Sequence, residues 1–172
     1  MSAPSTRAAA AALALGAALT ARPAAAQPPP VSPEDFVSAV SGSHAYEIMA
    51  ARVVLTESRD PAVRGFAEAM IRDHETLQAS LRAAAGRSGL PPSPPTVGAE
   101  EARLLGALQS LRGPDLDRAY ARQQAGAHRS ALATEEGYAR SGSDPDLRAA
   151  AQADLPTIRH HLADAERLAP PG

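Results

Sequence analysis

Two side chains able to bind a metal or carry a proton lie on the apolar face of the first predicted helix. With about 100° of rotation per residue, His44 falls about 80° and Glu47 about 20° from Phe36. Val40 and Ala51 occupy the same arc, so both polar groups are expected to point into the core. Burying a charged or partly charged group is costly unless it is paired or coordinated. The sequence therefore predicts a polar site inside an apolar core.

Histidines on the other predicted helices share this inward direction. His74 falls within the apolar arc of the second helix, and His161 falls within that of the last helix. The adjacent His160 falls outside the arc and is predicted to face solvent. His128 and Glu135 lie at the edge of the apolar stripe of their helix. The inward histidines thus come from different helices.

The depth of these residues in a bundle is estimated from the helical rise. At about 1.5 Å per residue, Glu47 and His74 lie about 15 to 18 Å from the turn that joins their helices. His128 and His161 lie about 18 to 22 Å from the turn of the second hairpin. All four can share one layer if the two hairpins pack level with each other, with Tyr120 about 10 Å or more away from it.

Two explanations of such a layer are left open by the residues. Imidazole and carboxylate ligands suit Fe, Mn, Zn or Cu, so the first is a transition-metal site built from Glu47, His74, His128 and His161. His44, one turn from Glu47, is a candidate extra ligand. The second is a His/Glu hydrogen-bond network without a metal. No set of nucleophile, base and acid accompanies these residues, so an enzyme is not the favoured interpretation.

Asp73 is predicted to act differently from its neighbour His74. Adjacent residues on a helix do not face each other, so the two cannot share a ligand position. Asp73 is expected either to accept a hydrogen bond from a histidine on another helix or to be solvated. Tyr120 is expected to be a core aromatic residue whose hydroxyl finds a partner.

Apolar residues at three- and four-residue steps predict the helices that carry these groups. The predicted helices run from Pro33 to about Arg59, Pro61 to about Gly86, Ala99 to Leu111, Asp115 to Arg140 and the cap before Pro145 to Leu168. The prolines at 91–95 form a rigid crossover, and Pro156 is expected to bend the last helix. Two hairpins joined by a long crossover that carries a short helix predict an all-α, ferritin-like four-helix bundle.

The N-terminal residues follow the pattern of a secretory signal peptide. Arg7 precedes an apolar run at 8–21, and small residues at Ala24 and Ala26 satisfy the cleavage rule. We expect a signal peptide at 1–26, a Pro-rich leader at 27–33 and one bundle domain at 34–169. The run is shorter than a membrane-spanning helix requires. The expected product is periplasmic or secreted, without a stable membrane anchor after cleavage.

Charge and cysteine content exclude some classes of function. The formal charge of the 172-residue chain is −2, and loss of Arg7 and Arg22 with the signal peptide would leave about −4. No basic cluster is present to neutralise phosphates, so nucleic acid is not an expected partner. The chain has no cysteine, which excludes disulfides and thiolate metal sites. A metal site would need His and carboxylate ligands.

Four motifs in order give the chain a resemblance to a known family. They are Glu47 in the first helix, the segment VRGFAEAMIRDH at 63–74, LDRAY at 116–120 with His128, and DLPTIRHHL at 154–162. From about Asp35 to Leu168 the chain resembles the DUF4142 family, exported bacterial proteins regarded as ferritin-like. The resemblance implies the fold, but the family has no established activity.

The family's polar positions map onto Glu47, Asp73, His74, Tyr120, His128 and His161. One departure is Ala127, which stands where the family usually has an acid before the helix histidine. Another is the absence of paired Glu-x-x-His motifs, since Ile71 and Ile158 stand three residues before His74 and His161. A ferritin-style di-iron oxidase is therefore not predicted, because too few bridging carboxylates remain.

The sequence thus predicts an exported ferritin-like bundle that binds a transition metal, Fe, Mn, Zn or Cu, through core His and Glu side chains. The alternative is a metal-free helical module of the cell envelope that acts in stress tolerance or by binding a partner. In that case the buried polar layer would fix the register of the helices. No particular protein partner is indicated by the sequence.

Overall fold

Four long helices and one short helix make up the part of the chain that the computed structural model describes, residues 31–92 and 94–169. In chain order the helices are α1 (Pro33–Glu57), α2 (Pro61–Arg87), α3 (Ala99–Ser110), α4 (Gly113–Ser141) and α5 (Pro145–Leu168). No strand occurs in these ranges, so the predicted all-α fold is confirmed. The predicted signal peptide at 1–26, and residues 27–30 of the predicted leader, lie outside the described residues.

Capping side chains and prolines fix where the long helices begin. The N-caps of α1, α2 and α5 are Ser32, Asp60 and Asp144, and each side chain accepts a hydrogen bond of 2.8–3.1 Å from a backbone N–H of the first turn. A proline follows each cap at the first helical position. α4 begins at Gly113, two residues earlier than predicted, because Pro114 fits the first turn of a helix.

The helices form two hairpins that pack side by side. α1 packs on α2 across the turn at 58–60, and α4 packs on α5 across the turn at 142–144. α2 also contacts α5, and α1 contacts α4, which closes the four-helix bundle. The crossover at 88–112 includes α3, which lies against α1 and α4. The predicted connectivity is therefore confirmed.

Two apolar clusters divide the core along the bundle axis. One cluster includes Val54, Phe66 and Tyr120 and lies towards the α1–α2 turn. The other includes Phe36 and Leu147 and lies towards the α4–α5 turn. On α2 and α5 the buried polar residues fall between the segments that feed these two clusters, and on α1 and α4 most of them do. The two hairpin turns therefore lie at opposite ends of the bundle, and a polar layer separates two apolar halves.

A glycine allows the crossover to lie close to α1. A Cβ atom added at Gly42 would stand 2.6 Å from the carbonyl oxygen of Thr96, so only glycine fits without displacing the backbone there. In α5 the helix continues through Pro156, which is exposed and lacks one backbone N–H. Within the described residues, none of the helices has the length and apolar character needed to cross a membrane.

Candidate metal centre

Side chains from all four long helices meet in the polar layer. α1 contributes Glu47 and His44, α2 contributes His74, α4 contributes His128, and α5 contributes His161. None of the five residues is more than 3% exposed. Side chains of this polarity are rarely so deeply buried unless they are paired or coordinated. The layer is therefore a candidate functional site.

Three of these histidines form a nearly equilateral triangle. The ring centroids of His74 and His161 are 5.3 Å apart, and His128 is 5.5 Å from each of them. One nitrogen from each ring lies within 4.8 Å of the others, so the three rings form a group that could hold one ion after a small approach of the side chains. His74 Nε2 and His161 Nδ1 are the closest, at 3.3 Å.

The outer nitrogens of two rings are held by groups that only accept hydrogen bonds. His128 Nδ1 lies 2.8 Å from the carbonyl oxygen of Gln124, and His161 Nε2 lies 3.0 Å from Asp73 Oδ2. Both nitrogens must therefore carry the proton and donate it. The lone pairs then stand on His128 Nε2 and His161 Nδ1. Metal-binding histidines are typically oriented by such carbonyl and carboxylate partners.

A second group of ligand atoms surrounds the other side of the His74 ring. His74 Nδ1 lies 3.0 Å from His44 Nδ1 and 3.0 Å from Glu47 Oε2. His44 Nδ1 lies 3.9 Å from the same carboxylate oxygen. His74 thus presents one nitrogen to each group, and both groups have the spacing of metal ligands.

Glu47 is a carboxylate enclosed in the core. Burial alone would raise the pKa of this carboxyl, but the positive charges that His74 and His128 carry when protonated hold it well below its usual range. The contact with His74 is an ion-pair approach more than a directed hydrogen bond, because neither oxygen of Glu47 has a hydrogen-bond partner of good geometry. An ionised Glu47 requires a cation beside it, either a protonated imidazole or a metal.

Burial favours the neutral form of the surrounding imidazoles. It lowers the pKa of His44 and of His128. It lowers the pKa of His161 to about 4, although the hydrogen bond to Asp73 opposes this shift. Histidine binds a metal only in its neutral form. At neutral pH the side chains of His44, His128 and His161 are therefore in the form that binds a metal.

Unpartnered lone pairs in the layer fit a metal ion. His128 Nε2 and both oxygens of Glu47 are buried without a hydrogen-bond partner. An unpaired buried polar atom destabilises the fold unless something binds it. The available donors are imidazole nitrogens and carboxylate oxygens, a set that suits transition metals such as Zn, Cu, Fe and Mn.

The structure brings together all four residues predicted as ligands, Glu47, His74, His128 and His161. His128, predicted at the edge of its stripe, is fully buried. The side chain of His160 is 70% exposed, in agreement with its predicted direction. Asp73 contacts a histidine of a neighbouring helix, the first of the two roles expected for it. The hydroxyl of Tyr120 is buried without the partner that was expected.

Buried polar groups beyond the layer were not all predicted. Glu135 is only 1% exposed and Asp154 only 3%, although neither was expected so deep in the core. Burial, together with the charges of Asp154 and Glu47, raises the pKa of Glu135 to about 8. Burial raises the pKa of Asp154 to about 6, although the charge of His74 opposes this shift. Helical phase contained the signal for Asp154, which falls about 20° from Leu147. Gln124, also buried, falls about 80° from Leu116, at the edge of the apolar arc.

Comparison with solved structures identifies proteins of the same fold. A DUF305 fragment from Deinococcus radiodurans is 23% identical, with a TM-score of 0.69 over 81% of this chain and 97% of that one. CopM in its Cu(I)-bound form is 18% identical, with a TM-score of 0.67 over 79% of this chain and 94% of that one. CopM in its Cu(II)-bound form is 16% identical, with a TM-score of 0.68 over 80% and 95%. At this identity the similarity shows the fold alone.

The family relationship is shown by sequence. Among the curated proteins no match is found. A family model described as a domain of unknown function, DUF4142, matches residues 18–168, most of the chain. This agrees with the resemblance carried by the four motifs. The chain belongs to the DUF4142 family.

Proposed function

We propose that this chain is an exported helical bundle that binds a transition-metal ion through His74, His128 and His161, with Glu47 beside them. The observation that carries the proposal is the convergence of three imidazole rings from three helices in one buried triangle. One nitrogen of each ring lies within 4.8 Å of a nitrogen of the other two. Such a three-histidine set leaves a fourth position open for another ligand.

The surroundings of the three rings support this assignment. His128 Nδ1 donates to the Gln124 carbonyl and His161 Nε2 donates to Asp73, while His74 Nδ1 lies 3.0 Å from Glu47 Oε2. Two of the three proposed ligands therefore have an acceptor that fixes which nitrogen faces the ion, and the third has a carboxylate beside its outer nitrogen.

Charge balance gives a further reason to expect a cation. Glu47 is fully buried, and its pKa is lowered by the positive charges that His74 and His128 carry when protonated, so it is ionised only while a cation lies beside it. Burial disfavours protonation of His44, His128 and His161. A divalent ion in the triangle would neutralise Glu47 without requiring a proton on any of these rings.

Copper(II) and zinc(II) are the first ions to test. Both accept imidazole and carboxylate ligands, and copper(II) binds most tightly among the divalent ions of its row. The fold similarity to CopM, whose structures are described as Cu(I)-bound and Cu(II)-bound, supports copper as a candidate. Iron and manganese remain compatible with the same donors.

The metal-free alternative is also supported by one observation. Contacts of 3.0 to 3.3 Å link Glu47 to His74, His74 to His161, and His161 to Asp73. A proton on each nitrogen of His74 would satisfy this chain of contacts without any metal. In that case the protein would be an envelope module whose polar layer specifies helix register, acting in stress tolerance or by binding a partner through its surface.

Metal analysis of the purified mature protein, beginning at Gln27, separates the two functions. We expect stoichiometric metal in the wild type and almost none in a His74→Ala, His161→Ala double variant. His160→Ala is the matched control, because this exposed histidine is adjacent to His161, and it should retain the metal. Equal, substoichiometric metal in wild type and double variant would overturn the metal proposal.

Export to the periplasm or the medium rests on the signal-peptide pattern at 1–26. Expression of the full chain in a bacterial host, followed by fractionation and mass determination, tests it. The proposal predicts a product outside the cytoplasm that begins at Gln27. A cytoplasmic product that retains residues 1–26 would contradict it.

A further inference from the structure

The geometry points to a second metal site formed by His44 Nδ1, Glu47 Oε2 and His74 Nδ1, so that His74 bridges two ions as an imidazolate. This inference rests on the proposed function, because it adds an ion beside the one held by the three histidines. It assigns a role to His44, which is not a ligand of the three-histidine site.

The three atoms have the spacing of ligands around one ion. Their separations are 3.0, 3.0 and 3.9 Å. Bonds of about 2.0–2.1 Å in a tetrahedral site place neighbouring ligand atoms about 3.3 Å apart. Because the mean of the three separations is close to this value, one ion can contact all three atoms with little movement of the side chains.

The ring of His74 connects the two sites through its opposite nitrogens. Nε2 faces His161 Nδ1 at 3.3 Å, whereas Nδ1 faces His44 and Glu47. When an ion binds at Nδ1, the proton on that nitrogen leaves to solvent and its electron pair forms the new bond. His44 keeps its own proton on Nε2 and uses the Nδ1 lone pair. The bridging imidazolate then contributes one negative charge to the pair of ions.

The spacing along α1 explains how one helix supplies two of these ligands. Glu47 follows His44 by three residues, so the two side chains lie on the same face about one turn apart. Both are buried, at 3% and 0% exposure. The polar contacts of His44 are made by its Nδ1 with His74 and Glu47, while its Nε2 has no hydrogen-bond partner among the described residues.

Access and charge also suit an ion at this position. A cavity of about 180 Å³ between α1, α3 and α4 is lined by residues that include Ser43, His44, Ser130, Thr134 and Glu135. It can admit water to complete the coordination of an ion at His44. Glu47 as a carboxylate and His74 as an imidazolate supply negative charge beside the ion.

Copper(II) titration of the mature protein, with three single variants, tests the bridged pair. We expect two ions per chain in the wild type, one in His44→Gln, one in His128→Gln, and two in the exposed control His160→Gln. Far-UV circular dichroism of each variant must match the wild type. Where one variant fails this check, Glu47→Gln replaces His44→Gln, or His161→Gln replaces His128→Gln, with the same expectation.

Electron paramagnetic resonance provides a second readout that does not depend on stoichiometry alone. Two copper(II) ions joined by an imidazolate couple antiferromagnetically, so the wild-type signal should account for much less copper than is bound. In His44→Gln the signal should account for all of it. An uncoupled signal in a wild type that holds two ions would overturn the bridge.

The remaining outcomes distinguish the two proposals. If the wild type and His44→Gln each bind one ion and His128→Gln binds none, the second site is overturned and the three-histidine site is retained. One ion lost in His44→Gln but kept in His128→Gln would overturn the three-histidine function and the bridged pair together. Absence of stoichiometric copper in the wild type would overturn both.

Discussion

His161 and Asp73 lie 88 positions apart in the chain, on α5 and α2, and their side chains meet at 3.0 Å between Nε2 and Oδ2. Asp73 is partly exposed, while His161 is buried. The carboxylate therefore holds the imidazole from the solvent side and turns its Nδ1 towards the centre of the triangle. This relationship gives Asp73 a measurable role in metal binding.

Replacing Asp73 by Asn should weaken metal binding while leaving the fold intact. Loss of such an orienting carboxylate typically lowers metal affinity by about 10- to 100-fold. Competition titration with a chelator of known affinity measures the change. Glu75→Gln is the matched control, since Glu75 is an exposed acid of α2 paired with Arg52. Equal affinity of both variants and the wild type would contradict the role of Asp73.

Zinc(II) or copper(II) should raise the melting temperature of the metal-free protein. An ion that binds only the folded chain adds about 2.7 kcal/mol of stability at a free concentration 100 times the dissociation constant. Thermal melts followed by circular dichroism should show the rise, and excess chelator should reverse it. His160→Ala should respond like the wild type. An unchanged melting temperature in the wild type would favour the metal-free module.

Glu135 should make the metal-free protein less stable as the pH rises. Burial first, then the charges of Asp154 and Glu47, raise its pKa in the folded chain from 4.5 to about 8. The folded state therefore binds this proton more tightly than the unfolded state, and stability falls as the pH rises from 4.5 to about 8. Asp154, with its pKa raised to about 6, acts in the same direction.

A Glu135→Gln variant should show a weaker pH dependence, because the amide does not titrate. Urea denaturation of the wild type and the variant across this pH range, in the presence of chelator, measures the difference. The variant should gain stability relative to the wild type as the pH rises. Parallel curves for the two proteins would show that Glu135 is not protonated in the folded core.

Gly42→Ala should destabilise the bundle, whereas Gly126→Ala should not. The new methyl at position 42 would meet the Thr96 carbonyl and force the crossover away from α1, at a cost of about 1–3 kcal/mol. At Gly126 on α4 the added methyl meets no atom, so the higher helix propensity of alanine should add up to about 1 kcal/mol. Denaturant melts measure both changes, and an equal effect of the two substitutions would refute the close approach.

The helical periodicity of the sequence predicted most of the fold and part of the candidate site. Caps and prolines located the helix starts to within two residues, and helical phase placed Glu47, His74 and His161 in the core. The depth argument assumed hairpins that pack level. Their turns lie instead at opposite ends, and the layer still forms because His44, His74 and His128 lie close to the middle of their helices.

Other features depend on how the helices rotate against each other, which periodicity does not specify. His128 was predicted at the edge of the apolar stripe, but it is fully buried because α4 contacts both α1 and α5. The pairing of Asp73 with His161 depends on the α2–α5 contact in the same way. Which neighbours the two nitrogens of His74 face depends on the rotation of its side chain. The sequence therefore did not predict that Nε2 faces His161 while Nδ1 faces Glu47 and His44.

Diffraction from crystals of the mature protein grown with zinc(II), recorded at the zinc absorption edge, tests the central claim most directly. The account predicts an anomalous peak within bonding distance of His74 Nε2, His128 Nε2 and His161 Nδ1. Clear density for the three rings without a peak between them, or zinc bound only at surface residues such as His160, would contradict it.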